Sequence, residues 1–490
     1  VAAAGAAAGP LVWAGSAHAQ WSNTPEKGAK LRVLRWKRFV QGDEDAYMAN
    51  VKKFTEKTGI EVRVDHEGWE DVRPKAAVAA NTGAGPDIIL STNDDANLYP
   101  DKLVDVTDLC EYLGKKYGGW YPVCQQYLKP DGRRWIGVPL GAAGSALVYR
   151  ESAIKAAGYT SIPKDTAGFL SLMKALKDKG TPGGFALGNA TGDGNTWTHW
   201  LVWSHGGKLV NDKNQVVIDS PETVKALEYV KELYGTFVPG TLSWLDPNNN
   251  KAFLDGQVSL TANGISVYFA AKNSADPKIK EMTADINPSN FPIGPVGRPT
   301  EFNLFFNQMI FKYTKYPRAA KEFLRFMMEE EQVSPWLTAS IGYVTPALTV
   351  YEKHPVWSDP KSVPYRDSMK IMLPSGYSGK MGYASAGALA DFIIVNMVAE
   401  AISGSKPPNG SGRSPTSSAA SWSQPAFPTT SASPSNCSSA TNAKPPNGRR
   451  SATPTSRRAR RSSRQTSRPS RQKVPRPTSV ARCVSPPSAR

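Results

Sequence analysis

Apolar and polar positions recur with two different periods along the first ninety residues, and this pattern predicts strands separated by helices. Residues 31–34, 60–64 and 88–90 are apolar or alternating runs of strand length. Apolar side chains recur at helical spacing over 47–58, and a second helical stretch begins at Trp69. Strands and helices that alternate at these lengths imply right-handed crossovers on a mainly parallel sheet.

The same alternation resumes in the second half of the chain. Ser220, Pro221 and Glu222 combine an N-cap, a proline at the first helical position and an early acid. They predict a helix that ends at Gly235. The other elements predicted here are strands at 216–218 and 258–260, a helix from Pro317 and a last apolar helix at 386–402.

The composition changes abruptly after about Pro407, where Ser, Pro, Arg and Thr dominate and the apolar periodicity ends. Residues 404–490 carry 16 Lys plus Arg and no acid, which leaves 43 basic and 42 acidic side chains in the body. Such a segment cannot bury enough apolar surface to offset its ordering entropy, so we predict a disordered tail. It is either an arm for an anionic partner or an artefact of out-of-frame translation, the explanation we favour. The body has no net basicity, so we expect no nucleic-acid partner.

The first twenty residues are rich in Ala and Gly and close with Ala17-His18-Ala19, a pattern that signal peptidase accepts. We predict a signal peptide at 1–19 that lacks its basic beginning, the alternative being a disordered leader. No later segment reaches the roughly 20 apolar residues of a membrane helix, so we expect a soluble, exported protein.

Four cysteines are few for 490 residues. Cys110 and Cys124 could form a bridge in an oxidising compartment or remain two separate buried thiols. The sequence contains no CxxC motif and no Cys/His cluster with metal-ligand spacing. We therefore expect no metal and no cofactor.

Several short motifs, in a fixed order, resemble the extracellular solute-binding proteins of ABC importers, in the sugar-binding family that includes maltose-binding protein. The resemblance covers about 30–403, although Arg150 follows Tyr149 where the family usually has Asn. The motifs are Gly85-Pro86-Asp87-Ile88-Ile89, residues 135–140 and 146–150, Ala156-Ala157-Gly158-Tyr159 with Pro163 and Thr166, Gly206-Gly207, residues 253–258, residues 319–324, and Gly342 with Pro346.

The resemblance implies an α/β fold of two lobes, each a mainly parallel sheet flanked by helices, which close on a ligand like a hinge. We expect lobe 1 to contain 28–141 with 296–342, and lobe 2 to contain 145–292 with 346–403. The chain would cross between lobes near Gly141–Ser145, Ile293–Thr300 and Gly342–Pro346. It also implies a periplasmic, monomeric binding protein with no catalytic residues, which takes a sugar to the membrane permease subunits of an ABC importer.

A sugar site needs flat aromatic rings for its C–H faces and short carboxylates or amides for its hydroxyls. In open α/β sheets, ligands lie beyond the carboxyl ends of the strands. Loops at such ends are rich in these residue types, although any single Trp is more often part of a core. The candidate ligand-binding residues are Trp36, Arg38, Ser91, Asn93, Asp94, Asn189, Asp193, Trp197, Trp244, Asn263, Tyr268 and Tyr383.

The basic cluster Arg35, Lys37 and Arg38 has two interpretations. It could recognise a phosphorylated or acidic sugar through charge-assisted hydrogen bonds, or it could be a solvated strand end.

The competing function is a secreted carbohydrate-active enzyme of the glycoside hydrolase type. Such an enzyme needs two carboxylates about 5–10 Å apart across the scissile bond. The sequence shows no paired carboxylate motif, no Ser nucleophile elbow, no phosphate-binding Gly loop and no zinc motif. A binding protein is therefore the favoured interpretation.

Overall fold

The computed structural model describes residues 21–405, so the predicted signal peptide and tail lie outside the described residues. The described residues form an α/β fold with two separate sheets. The strands in chain order, β1 to β9, are Lys30–Trp36, Glu61–Glu67, Ile88–Thr92, Val138–Ala143, Ala146–Arg150, Leu260–Asn263, Ile286–Ser289, Leu304–Ile310 and Thr345–Pro346.

The helices surround both sheets. The helices in chain order, α1 to α17, are Gln41–Thr58, Trp69–Thr82, Thr107–Lys116, Pro122–Leu128, Glu151–Ala156, Thr166–Asp178, Asp193–Ser204, Pro221–Tyr234, Asp246–Leu254, Ser266–Lys272, Pro277–Asp285, Pro317–Met327, Glu330–Ala339, Val363–Arg366, Ser368–Ile371, Tyr383–Ala390 and Ile393–Ser403.

The larger sheet has six strands in the order β2-β1-β3-β8-β4-β9. Strand β1 pairs in parallel with both β2 and β3, as the helical crossovers α1 and α2 require. The remaining pairs, β3 with β8, β8 with β4 and β4 with β9, are antiparallel, so β8 and β9 run opposite to β1, β3 and β4. The parallel strands β1 and β2 therefore deliver their following loops to one edge of this sheet.

The smaller sheet has the order β6-β5-β7, and both of its strand pairs are antiparallel. The prediction of a mainly parallel sheet in each lobe is therefore wrong in its pairing, although the α/β class and the two-lobed fold are confirmed. Isolated parallel bridges join Gly183 to Leu260 and Asp165 to Ile293 beside these strands. An apolar run indicates a strand but not its direction, which depends on where the long connections return.

Local capping signals set the bounds of several helices. Helix α1 ends at Gly59, whose left-handed backbone (φ 72°) lets its N–H reach the carbonyl of Thr55 at 2.8 Å. Helix α8 begins as predicted, because the Ser220 side chain accepts a hydrogen bond from the N–H of Thr223.

Two predicted strands differ from the structure. The run 216–218 forms only an isolated bridge between Val210 and Val216, and Val216 is exposed. The predicted strand at 258–260 begins two residues later, as β6. Of this run only Ile218 is buried, so the run has no continuous sheet partner, and its apolar composition alone does not make it a strand.

The predicted last helix is two helices, because Phe392 between them adopts a left-handed conformation with φ 54°. Among the described residues, Tyr383–Ser403 is the one stretch with the length and composition of a membrane span, with a mean hydropathy of 1.5. This differs from the expectation that no such stretch follows the leader. Its buried residues Ile394, Val395 and Val398 pack in the cores beside the smaller sheet, as those of a core helix do.

The chain passes between the sheets at residues 144–145, from β4 to β5, and again at 290–303, from β7 to β8. The buried side chain of Asn303 joins these passages, since its Oδ1 accepts from the N–H of Ser145 at 2.8 Å. Its Nδ2 donates to the carbonyl of Ser368 at 3.3 Å.

The segment after β9 stays in the core of the larger sheet as far as Met372. The division of the chain into lobes at the expected boundaries stays a prediction.

Cys110 and Cys124 are free, buried thiols rather than a bridge. Burial raises the pKa of both thiols, which disfavours a reactive thiolate.

Candidate ligand-binding cleft

A partly open cavity lies where the two sheets meet. Residues next to the larger sheet form one wall, and the starts of α7 and α9 and the end of β6 form the other. The lining residues are Phe39, Trp69, Ala143, Gly144, Ser145, Gly192, Asp193, Thr196, Asp246, Asn263, Gly264, Ser266, Leu304 and Tyr343.

Three aromatic rings stack beneath and beside this cavity. Trp36 lies 4.7 Å from both Trp69 and Phe306, at interplanar angles of 17° and 22°. Trp69 also stacks on Phe306 at 5.5 Å. Only Trp69 of the three lines the cavity, where Phe39 and Tyr343 join it. The cavity therefore has an aromatic wall whose position is fixed by packing from below.

Two buried carboxylates form the opposite wall. The oxygens of Asp246 accept hydrogen bonds from the N–H groups of Gly192 and Asp193, at 2.9 and 2.8 Å, at the start of α7. Oδ2 of Asp193 accepts from the amide of Asn249 at 2.8 Å. Burial raises the pKa of Asp246 to about 6. Burial and then the neighbouring Asp246 raise the pKa of Asp193 well above its usual range.

Polar groups from β6 and the first passage complete the lining. Asn263 is held by Asn250, and its Oδ1 accepts from the hydroxyl of Ser266 at 3.1 Å. The hydroxyl of Ser145 is buried and has no hydrogen-bond partner among residues 21–405. An unpaired buried hydroxyl costs free energy, so a ligand that bonds to it gains affinity. Aromatic rings, carboxylates and an unpaired hydroxyl in one cavity suit a polyhydroxylated ligand.

Of the candidate residues from the sequence, Asp193 and Asn263 line this cavity. Trp36 lies below it, buried against Trp69. Trp197 is fully buried among Phe185 and other core side chains, and its indole N–H donates to the carbonyl of Ala186.

The loop after β3 is engaged with the protein itself. Asn93 is buried and joins Phe305 through its side-chain oxygen. Ser91 donates to Asp95, whereas Asp94 accepts from Ser375 and Ser385 at 2.8 and 3.1 Å. None of these three candidates lines the cavity described above.

The remaining candidates lie away from the cavity lining. Arg38, Asn189 and Tyr383 are exposed. Tyr268 donates to Asp359 at 3.1 Å, and Trp244 is half-buried in the apolar cluster beside the smaller sheet. Contact between the ligand and any of these candidates stays a prediction.

The basic cluster at the end of β1 divides between core and surface. Arg35 is fully buried and pairs with Asp43 at 2.5 Å, between the rings of Trp36 and Tyr47. Lys37 and Arg38 are exposed. None of the three basic side chains lines the cavity, so this cavity gives no support to recognition of an acidic sugar by them.

Sequence reasoning missed Phe39, Trp69, Tyr343, Asp246 and Ser145. Trp69 lies just beyond the carboxyl end of β2, so the rule that ligands lie beyond strand ends could have found it. The other four reach the cavity from segments far apart in the chain, and their meeting depends on the fold.

A family model for bacterial extracellular solute-binding proteins matches residues 49–364. YcjN of Escherichia coli, a protein named as an ABC transporter periplasmic-binding protein, is 22% identical over 312 residues, which cover 62% of this chain and 70% of the relative.

Solved structures share the fold. Maltose-bound MalE3 of T. maritima superposes with a TM-score of 0.67 at 19% identity, over 78% of this chain and 96% of that chain. A sugar transporter protein from Arthrobacter chlorophenolicus with bound laminaribiose gives a TM-score of 0.66, also at 19% identity and with the same coverage of both chains. Because the family model covers more than half of the chain, the protein belongs to the bacterial extracellular solute-binding protein family.

Proposed function

We propose that this protein captures a sugar or sugar derivative in the cavity between its two sheets and delivers it to an ABC importer. Its family and its relatives are binding proteins of ABC transporters. Similar structures hold maltose, laminaribiose or ribitol, which supports a polyhydroxylated solute. The protein acts outside the cytoplasm, as a monomer that docks on the permease subunits.

The observation that carries the proposal is that aromatic residues line one wall of the cavity and polar acceptors line the other. The aromatic rings of Trp69 and Phe39 line the cavity beside the larger sheet, whereas Asp193 and Asn263 line it beside the smaller sheet and present acceptors. A sugar has apolar C–H faces and polar hydroxyl groups, so one sugar ring can contact both walls at once. A ligand that touches both walls favours the closed arrangement over an open one.

The same contacts weigh against a glycoside hydrolase. Both oxygens of Asp246 accept backbone N–H bonds that begin α7. A carboxylate committed in this way is a poor acid or nucleophile for a substrate, whereas hydrolysis needs two available carboxyl groups. Assaying oligosaccharides for cleavage in the presence of the protein separates the two functions.

A thermal-shift screen of sugars, polyols and sugar derivatives tests the proposal, because a ligand of the native state raises the melting temperature. We expect at least one carbohydrate to raise it in a concentration-dependent manner. A complete screen in which no carbohydrate shifts the melting temperature would contradict the proposal. Stimulation of the importer's ATPase by the sugar-loaded protein, in proteoliposomes, tests delivery.

A further inference from the structure

The charged residues that line the cavity are all acidic. Its lining includes two carboxylates, Asp193 and Asp246, and no Lys, Arg or His among the described residues. Glu70 adds further negative potential, since its charge also raises the pKa of Asp246. The cavity therefore lacks a cation that would offset its acids.

The hydrogen bonds of the two acids leave one oxygen available. Asp246 is held by backbone donors at both oxygens, while Asp193 has the amide of Asn249 on Oδ2. Its Oδ1 has no donor among the described residues. Two buried acids with so few donors repel each other, so a cation placed between them gains more than a neutral group would.

A second, independent observation points to a ligand at the same place. Ser145 lines the cavity, and its Oγ is buried with no hydrogen-bond partner among the described residues. The aromatic residues Trp69, Phe39 and Tyr343 also line the cavity. Carboxylates, a free hydroxyl acceptor and aromatic rings are the groups that bind ammonium ions in proteins.

We propose that the solute carries a protonated amino group on its polyhydroxylated frame, as an amino sugar does, and that Asp193 with Asp246 binds this group. The inference rests on the proposed function and narrows its substrate class. Neutral sugars leave the acids uncompensated, and acidic sugars bring a further negative charge next to them. N-acetylation removes the charge that the site selects.

The test uses calorimetric titration of the full-length protein at neutral pH. The probes are glucosamine, glucose, N-acetylglucosamine and glucuronic acid, together with the β-1,4-linked disaccharides of the first three. We expect the amine-bearing probe to bind at least about tenfold more tightly than its neutral counterparts, and the uronate not to bind. Equal affinity for amine and neutral probes, or no binding of any amine-bearing probe, would overturn the inference.

Variants test whether Asp193 is the source of the preference for amine-bearing over neutral sugars. Asp193→Asn keeps an oxygen that Asn249 can bond, and should reduce the amine preference to near parity. Asp212→Asn, the same change at an exposed acid outside the cavity, should leave that preference unaltered. An amine preference that persists in a folded Asp193→Asn protein would contradict the assignment. Failure of every carbohydrate in the thermal screen would instead remove the proposed function, so the two failures are distinguishable.

Discussion

Asp43 shows how a buried residue sets the position of the cavity wall. Its carboxylate accepts from the indole N–H groups of Trp36 and Trp336 and pairs with Arg35. Trp36 is thereby fixed under Trp69, which faces the cavity. The sequence predicted Trp36 as a ligand contact, because its loop position is that of a contact residue and burial cannot be read from one Trp. In the structure Trp36 is fully buried and its neighbour in space, Trp69, lines the cavity, while ligand contact by either stays a prediction.

Replacing Trp69 with Ala should weaken sugar binding by about 1–3 kcal/mol, because the ligand loses its stacking surface. Trp21→Ala removes an indole that instead packs at a tilt against Tyr112, outside the cavity lining, and serves as the control. Titration calorimetry with the sugar that the thermal screen selects measures both. Equal affinities for the two folded variants would show that Trp69 does not contact the ligand.

The pH dependence of stability should report the buried acids. The pKa of Asp246 is raised to about 6 in the native state, whereas an unfolded chain releases this proton near pH 4. The native state therefore holds more protons in this window, and the free energy of unfolding contributed by Asp246 falls as pH rises from about 4 to about 6. Asp193 extends the fall to higher pH.

Asp246→Asn should flatten this dependence, as measured by urea unfolding of the ligand-free protein at pH 4.5 and 7.5. Asp94 and Glu301, with pKa values raised to about 6 and about 8, act in the same direction, and His199, lowered to about 4, acts in the opposite one. The comparison is therefore between the variant and Asp212→Asn. The account of Asp246 fails if these two proteins show the same change with pH.

At the scale of elements, local sequence signals predicted where helices begin and end better than they predicted the direction in which strands pair. Ser220 begins one helix and Gly59 ends another through contacts within a few residues, so their sequence signals were sufficient. The antiparallel pairing of β5 and the turn at Phe392 depend on packing with distant segments, and the sequence carried no local sign of either. The two passages between the sheets are likewise joined by a contact between distant segments, the hydrogen bond from the N–H of Ser145 to the side chain of Asn303.

Asn303→Ala should loosen the connection between the sheets. It leaves the N–H of Ser145 without its acceptor, which costs about 1–3 kcal/mol in a buried setting. We expect a lower free energy of unfolding and weaker sugar binding, since Ser145 itself lines the cavity. Asn290→Ala, an exposed position in the same passage, is the control. Matching urea midpoints and affinities in the two variants would argue against this role.

At the scale of the whole molecule, the order of short motifs was the most informative part of the sequence. It predicted the family and the two-lobed α/β fold, which are confirmed. Individual cavity residues were harder to predict, because Phe39, Tyr343 and Asp246 meet only after folding. A single sequence shows which residues suit a sugar but not which of them share a cavity.

Closure of the two lobes should make the molecule more compact when the solute binds. Ligand contacts on both walls stabilise the closed arrangement by their difference in free energy between the two states. Small-angle scattering of the full-length protein should therefore give a smaller radius of gyration at saturation. A solute that binds at full stoichiometry without changing this radius would contradict the hinge.

The most direct measurement is a crystal structure of the protein with the sugar that the thermal screen selects. The account predicts one sugar in the cavity, with a ring face on Trp69 and polar groups within hydrogen-bond distance of Asp193 and Ser145. A sugar bound outside this cavity, or one that contacts only one of the two walls, would contradict it.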